Sequence, residues 1–296
     1  MTVLVAGATG SLGLEVCRRL RSAGWAVRAL VRTTARPERL EALSVSGAEL
    51  VEGDVKRPAS LVTACAGADA VVSTVSATLF EHHQAGDSIQ TVDLEGNRAL
   101  AEAARSAGAR RFVFVSSTSK DDSPATRAKR EVERHLRATG VPYSVLRPTR
   151  YMEVWLTPLL GFDPGAGQAR IFGAGDRPVS WISRGDVAEF IHLVLDDSSA
   201  ENETFDLGGP EPLSQLEVVR VFEEVAKKPF ELEFVSADEL RAEEAAANDS
   251  LLASYAAFCL ACCDGDAVPM DETLRRFPVS LTSVQEYAER TLHGLI

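Results

Sequence analysis

Two stretches of this 296-residue chain hold residue types that do chemistry, at spacings that chemistry can use. The first is GATGSLG, with glycines at 7, 10 and 13. Glycine adopts dihedrals that other residues resist, and without a Cβ it lets main-chain N–H groups come close to a pyrophosphate. A helix starting here adds partial positive charge at its N-terminus. The spacing is G-x-x-G-x-x-G and not the plainer G-x-G-x-x-G, but it serves the same contacts and predicts dinucleotide binding. The second stretch is SSTSKDDSPATRAK, from Ser116 to Lys129. It is rich in hydroxyls, ends on a lysine, and contains neither tyrosine nor histidine. If it is an active site, the source of a proton has to be found elsewhere.

The elements that must position these residues alternate along the first half of the chain. Strand-like VLVAG, AVRALV, AELVEGD, DAVVSTVSA, RFVFVSS and YSVLRP are separated by single helix-like segments, among them SLGLEVCRRLRSAG, TVDLEGNRALAEAARSAG and PATRAKREVERHLRATG. Short valine- and leucine-rich strands separated this way predict parallel βαβ units with right-handed crossovers. The expected fold class is therefore α/β, a doubly wound parallel sheet of the Rossmann type. The carboxyl ends of its first and fourth strands should meet at a ligand crevice. After Pro148 the pattern loosens, and beyond about Phe230 it reads as largely helical. The expected organisation is a nucleotide-binding domain over residues 1–150, which also receives 179–208. A smaller, mostly helical substrate lobe spans 151–178 and 209–296.

The end of the second strand should select the dinucleotide. An acid there would bind a ribose 2′-hydroxyl, but the sequence is LVRTTAR, with Arg32 at the strand end and Arg36 nearby. A guanidinium pairs with a 2′-phosphate, so the expected cofactor is NADPH (NADP+). After the third strand, in EGDV, Asp54 is placed to reach an adenine amine and Val55 to pack on the ring. Asp54 also suits a helix N-cap before Pro58.

Composition narrows the partners. A formal net charge of −12 disfavours a polyanion such as DNA or RNA. No apolar run reaches the length of a membrane span, and the N-terminus starts on a strand with no export signal. Five cysteines without framework spacing fit a reducing cytoplasm. Cys259, Cys262 and Cys263 share a helix but have no second ligand pair, so they read as buried thiols and no metal is expected. The expected partner is a small-molecule substrate, with the chain a monomer or homodimer.

The combination VLVAGATGSLG, LVR, EGDV, TVDLEGNRALAEAARSAGARRFVFVSS, RAKREVE and YSVLRPTRYME resembles the NmrA-like branch of the short-chain dehydrogenase/reductase superfamily. The likeness is clear from Thr2 to Glu153 and looser through GAGDRPVSWISRGDVAEF and FDLGGPEPLSQLEV. It implies that Gly7, Thr9, Gly10, Ser11, Leu12 and Gly13 form the pyrophosphate loop. Arg32 would contact the 2′-phosphate, and Asp54 and Val55 the adenine. Val75, Ser76 and Ala77 would line the cofactor ribose. Ser117 falls on the superfamily's catalytic serine, and Lys129 on the lysine that holds the nicotinamide ribose. The superfamily tyrosine sits four positions before that lysine, where this chain has Ala125.

That absence shapes the functional expectation. In the superfamily the lysine lowers the phenol pKa so that it shuttles the proton. Without the phenol, one reading is hydride transfer into a conjugated acceptor of quinone, enone or imine type, with water, Ser117 or the substrate completing protonation. A relocated acid is a variant of it. Tyr151 lies beyond the sixth strand, His82 and His83 lie in the long segment after the fourth, and Lys120 lies in the polar loop. Tyr151 also reads as a pocket wall with Phe80 and Trp155, and Phe162 and Phe172 read as pocket or core. The alternatives are a non-catalytic NADPH-sensing regulator or assembly factor, and sugar-nucleotide epimerase or dehydratase chemistry, which leans on the missing tyrosine. The favoured expectation is an NADPH-dependent oxidoreductase.

Overall fold

The computed structural model describes residues 1–78, 84 and 86–294. The first half alternates as its sequence predicts. β1 (Thr2–Ala6) leads to α1 (Ser11–Ser22), β2 (Ala26–Val31) to α2 (Pro37–Val45), and β3 (Glu49–Glu52) to α3 (Pro58–Cys65). β4 (Ala70–Ser73) is followed by a helical stretch ending in α4 (Asn97–Ser106). Then come β5 (Arg111–Val115), α5 (Pro124–Thr139) and β6 (Tyr143–Pro148).

Among the described residues the main sheet has seven strands. Its order is Glu203–Leu207, β6, β5, β4, β1, β2, β3, and β1 to β6 pair in parallel throughout. This is a doubly wound α/β sheet, and its switch point lies between β1 and β4. β5 shows why the runs are continuously apolar. All five of its residues are buried, because helices cover both faces of the sheet. Phe112 and Phe114 are fully buried, each stabilising the fold by about 1.5–3 kcal/mol. The strand's one charge, Arg111, donates through Nη1 to Ser144 Oγ at 3.0 Å and to the Val194 carbonyl at 2.7 Å.

The chain divides into two compact units. The first comprises 1–117, 124–147 and 188–205; the second comprises 118–123, 148–187 and 206–296. Residues 118–123, 148–150, 179–187 and 206–208, grouped above with the nucleotide-binding domain, fall in the second unit. That unit holds two small three-stranded sheets and helices over Gln215–Ala226, Ala237–Ala246, Ser250–Asp264 and Val284–Leu292. Its core packs Phe162 against Phe222 and Phe230, with ring centroids 4.8 and 5.5 Å apart.

Two local expectations change. The region after Phe230 is not helical from its start. Glu231–Val235 is a strand paired in parallel with Gln168–Phe172. The segment before α4 is wound as a π-helical turn over Ile89–Gly96, closed at its start by a reciprocal capping box between Ser88 and Thr91. Gly96 sits where a Cβ would lie 2.7 Å from Val55 Cγ2, so this wider turn packs directly on the β3–α3 connection.

Candidate functional site

The glycine loop is built for close approach. Gly7 has φ of +80°, and a Cβ there would lie 2.5 Å from Thr74 Oγ1 at the end of β4. A Cβ on Gly13 would lie 2.1 Å from the Gly7 carbonyl oxygen. Both positions therefore accept only glycine, and the loop folds tightly over the switch point. Gly10 N–H donates to Gly7 O at 2.9 Å and Gly10 serves as the N-cap of α1, with no side-chain cap. The first helical N–H groups are thus not taken by a capping side chain, which suits an anion. Thr9, Ser11 and Leu12 are half-buried on this turn. The residues fit a dinucleotide pyrophosphate.

At the end of β2, Arg32 Nη1 donates to Asp87 Oδ2 at 2.8 Å, and Lys56 Nζ approaches the same carboxylate. Asp54 is not the N-cap of α3. That position is Arg57, and Asp54 Oδ1 instead accepts the Lys56 N–H at 2.9 Å in a local turn. Val55 is buried, with its Cγ2 set close against Gly96. Val75 and Ala77 are buried and Ser76 is exposed.

Beneath that loop lies a polar network the sequence reading did not single out. Asp93, on the π turn and 1 % exposed, accepts from Ser76 Oγ at 2.7 Å and from Ala77 N–H at 2.8 Å. Asn97 donates to the Asp93 carbonyl at 2.9 Å and accepts from Ser73 Oγ at 2.5 Å. Their signal is visible in hindsight. Asp93 and Asn97 stand one turn apart on the otherwise apolar buried side of this segment, and buried polar groups need partners.

Lys129 faces this network. Its Nζ donates to the Val115 carbonyl at 3.1 Å, lies 3.9 Å from Asp93 Oδ1, and sits 5.3 Å from the Phe114 ring centroid. Burial pulls the ammonium below the ordinary lysine value, opposed by the charges of Asp93 and Glu133. Lys129 belongs to the buried face of α5 with Ala125, Val132 and Leu136. Ala125 is only 2 % exposed, so the position of the missing tyrosine is closed by packing. Ser117 is half-buried and its carbonyl accepts from Arg130 Nη2 at 2.9 Å. Its neighbour Ser116 donates to buried Glu133 Oε1 at 2.6 Å, and Glu133 also pairs with Arg130 and Arg147. Burial alone would raise the Glu133 carboxyl, but the Arg147 and Ser116 hydrogen bonds and the Arg130 charge bring it below its ordinary value. This cluster fixes the strand end that carries Ser117.

The remaining candidates lie in the second unit or outside the described residues. Phe80, His82 and His83 fall outside them; Lys120 is exposed. Tyr151 ends the short strand Arg150–Tyr151, its hydroxyl oxygen sealed from solvent and without a hydrogen-bond partner among the described residues. Burial, then the charge of Glu153, push this phenol well above the ordinary tyrosine value. Glu153, also absent from the sequence reading, accepts the Arg184 N–H at 3.0 Å and is itself raised by burial. Trp155 packs edge-on against Phe172 at 6.3 Å, with the Arg150 guanidinium over its ring. Phe162 and Phe172 are core. The cavity lined by Trp155, Phe162 and Phe172 is about 20 Å³, room for a water. Cys259 and Cys262 are buried, Cys262 accepting from Arg150 Nε at 3.1 Å, and all five cysteines are free thiols. Among the described residues there is no group that could hold a metal ion and no helix long and apolar enough to cross a membrane.

A model of the NmrA-like family matches residues 1–288. The chain belongs to the NmrA-like family. Among curated relatives of this NmrA-like protein is the (4-alkanoyl-5-oxo-2,5-dihydrofuran-3-yl)methyl phosphate reductase of Streptomyces griseus, 32% identical over 259 residues, covering 86% of this chain and 81% of the relative. The photosystem II assembly factor Ycf39 of Trieres chinensis is 30% identical over 234 residues, covering 76% and 69%. The solved structure of AtPrR2 with NADP+ and (+)pinoresinol superposes with a TM-score of 0.79 at 25% identity, covering 97% of each chain. The NmrA-like fold is thus that of an atypical short-chain dehydrogenase/reductase, as the motifs implied.

Proposed function

We propose that this NmrA-like protein is an NADPH-dependent reductase of a small, apolar, conjugated acceptor of quinone, enone or imine type. The observation that carries the reading is the buried Lys129–Asp93 pair beside a helix position, Ala125, that holds no phenol. The chain is an oxidoreductase that uses NADP(H). Gly7, Thr9, Gly10, Ser11, Leu12 and Gly13 hold the pyrophosphate, Arg32 the 2′-phosphate, and Asp54 and Val55 the adenine side. Val75, Ser76 and Ala77 line the ribose, with Asp93 fixing the last two from below. The cofactor, when bound, supplies the hydride. Lys129 orients the nicotinamide ribose, and Ser117 offers a hydroxyl to the acceptor.

A conjugated acceptor fits this residue set because hydride delivered to one end of a π system leaves charge spread over the other. Such an anion is protonated by water or by Ser117 without a strong positioned acid. The Streptomyces relative is named for an oxo-dihydrofuran bearing an alkanoyl group, a ring double bond conjugated to carbonyls. Tyr151 and Trp155 are the proposed substrate-side residues. Five free thiols suit the cytoplasm as the compartment. The relative named as an assembly factor favours a second reading, in which the chain binds NADPH and acts through a partner without turnover.

Purified protein with NADPH and a panel of quinones, enones and imines, followed at the nicotinamide absorbance, separates the two. The reductase reading expects acceptor-dependent oxidation that Lys129→Ala abolishes. Tight NADPH binding with no oxidation by any member of the panel would refute it and support the second reading.

A further inference from the structure

Arg32, just past β2, and Lys56, just past β3, share one carboxylate. Arg32 Nη1 donates to Asp87 Oδ2 at 2.8 Å, and Lys56 Nζ lies 2.5 Å from Asp87 Oδ1. The Asp87 side chain is 5 % exposed, against 26 % for Arg32 and 21 % for Lys56. β2 and β3 are parallel neighbours with Val31 beside Glu52, so both cations rise from the same carboxyl edge of the sheet. Lys56 is held there by its own N–H, which donates to Asp54 Oδ1 at 2.9 Å.

We propose that Lys56 is a second cation for the cofactor 2′-phosphate, and that the Asp87 carboxylate is an internal stand-in which that phosphate displaces. Together they set the preference for NADPH over NADH. This rests on the reading of Arg32 as the 2′-phosphate contact. The charge count supports it. A phosphate monoester carries about −1.5 to −2 near neutral pH, which matches two cations better than a carboxylate does. The phosphate and Asp87 cannot both keep these partners, because two anions sharing a half-buried site repel strongly. An uncharged ribose 2′-hydroxyl has no such power to displace Asp87, so NADH binds beside an intact triad and gains nothing from either cation. Burial alone would raise the Asp87 carboxyl, but Lys56 and Arg32 bring it below its ordinary value, so the stand-in is ionised at neutral pH.

The test is the ratio of NADH to NADPH dissociation constants, read by fluorescence titration without any acceptor. Using the ratio cancels losses of fold that weaken both cofactors alike. Asp87→Asn removes the competitor and keeps the shape, so the ratio should rise about fivefold; Lys56→Ala should lower it about fivefold, the scale of one partly exposed ion pair. Lys56→Met, which keeps the stem, should match Lys56→Ala. A ratio that falls or stays level in Asp87→Asn overturns the stand-in, and an unchanged ratio in both Lys56 variants overturns the second cation. Failure of the underlying reading looks different: wild-type protein would show no preference for NADPH. Failure of the reductase reading leaves these binding ratios untouched.

Discussion

Replacing Asp93 by asparagine probes the pair on which the first unit's candidate site is built. Asp93 Oδ1 and Lys129 Nζ are 3.9 Å apart, with side chains 0 % and 11 % exposed. Two unit charges at that distance attract by about 4 kcal/mol at an effective dielectric near 20. The ammonium can lean further on the Val115 carbonyl once Asp93 is neutral, so the measured coupling should be about 2–3 kcal/mol, below the ~3–5 kcal/mol seen when a buried pair loses one partner outright. The single variant also disturbs the hydrogen bonds from Ser76 and Ala77, since the new amide NH₂ must face one of those donors, adding about 1–2 kcal/mol. Urea unfolding of Asp93→Asn, Lys129→Met and the double variant isolates the pair in a thermodynamic cycle. The pH dependence supplies a second readout. Burial depresses the Lys129 pKa and Asp93 opposes that, so Asp93→Asn should depress it further. Between the depressed folded value and the ordinary lysine value the unfolded chain binds more protons than the native one. Stability therefore rises with pH across that window and falls as pH drops toward the folded pKa. Asp93→Asn should widen the window downward, and Lys129→Met should abolish it. A coupling below about 0.5 kcal/mol, the usual error of additivity, would refute the reasoning, as would an unmoved window.

Gly13→Ala places a Cβ 2.1 Å from the Gly7 carbonyl oxygen, a backbone atom, so the loop has to open. We expect a stability loss of about 2–3 kcal/mol by chemical denaturation and NADPH binding too weak to titrate; near-normal binding would show that the loop does not cradle the cofactor. Tyr151→Phe deletes a sealed hydroxyl without a partner among the described residues. Stability should stay level or rise by about 1 kcal/mol. Retained turnover removes Tyr151 from the proton path, whereas lost turnover with unchanged NADPH binding makes it the relocated acid.

What the sequence disclosed depended on range. The glycine loop and α1 are contiguous, and their chemistry follows from glycine spacing within a few residues. The six strands of the first half were legible for the same reason, since each is a short apolar run bounded by turn residues. Lys129 was placed by motif, but its partner was not, because Asp93 reaches it only after the π turn and α5 pack together. Lys56 and Asp87 likewise meet through the fold, and nothing in EGDVKRP marks the lysine as anything but exposed. The strand Glu231–Val235 was missed because its partner, Gln168–Phe172, lies far back along the chain with no hairpin turn between them. Its outward Phe234, 55 % exposed, also spoils the alternation a half-buried strand should show. The aromatic residues could not be sorted from sequence alone. Phe162 and Phe172 were left open between pocket and core, and a small unit needs large rings to fill its own core, which is where they sit.

The absence at position 125 has a structural counterpart that limits the chemistry. Ala125 is packed at 2 % exposure on the same helix face as Lys129, so the phenol is not simply trimmed from an open cleft. The lysine, in turn, is not left as an unsupported charge. It is held by the Val115 carbonyl and faced by Asp93, whose other contacts run to Ser76 and Ala77. A lysine whose task was to lower a neighbouring phenol's pKa has here become the end of a network that reaches the loop after β4. On the proposed cofactor placement, such a network would fix a ribose and keep a positive charge near the nicotinamide, but it has no tyrosine through which to deliver a proton. On the proposed function, acceptors that need concerted proton delivery, such as isolated ketones, would be disfavoured relative to those that can carry the negative charge themselves. On the proposed reductase function, substrate choice would be set as much by what the acceptor can stabilise as by what the protein can donate.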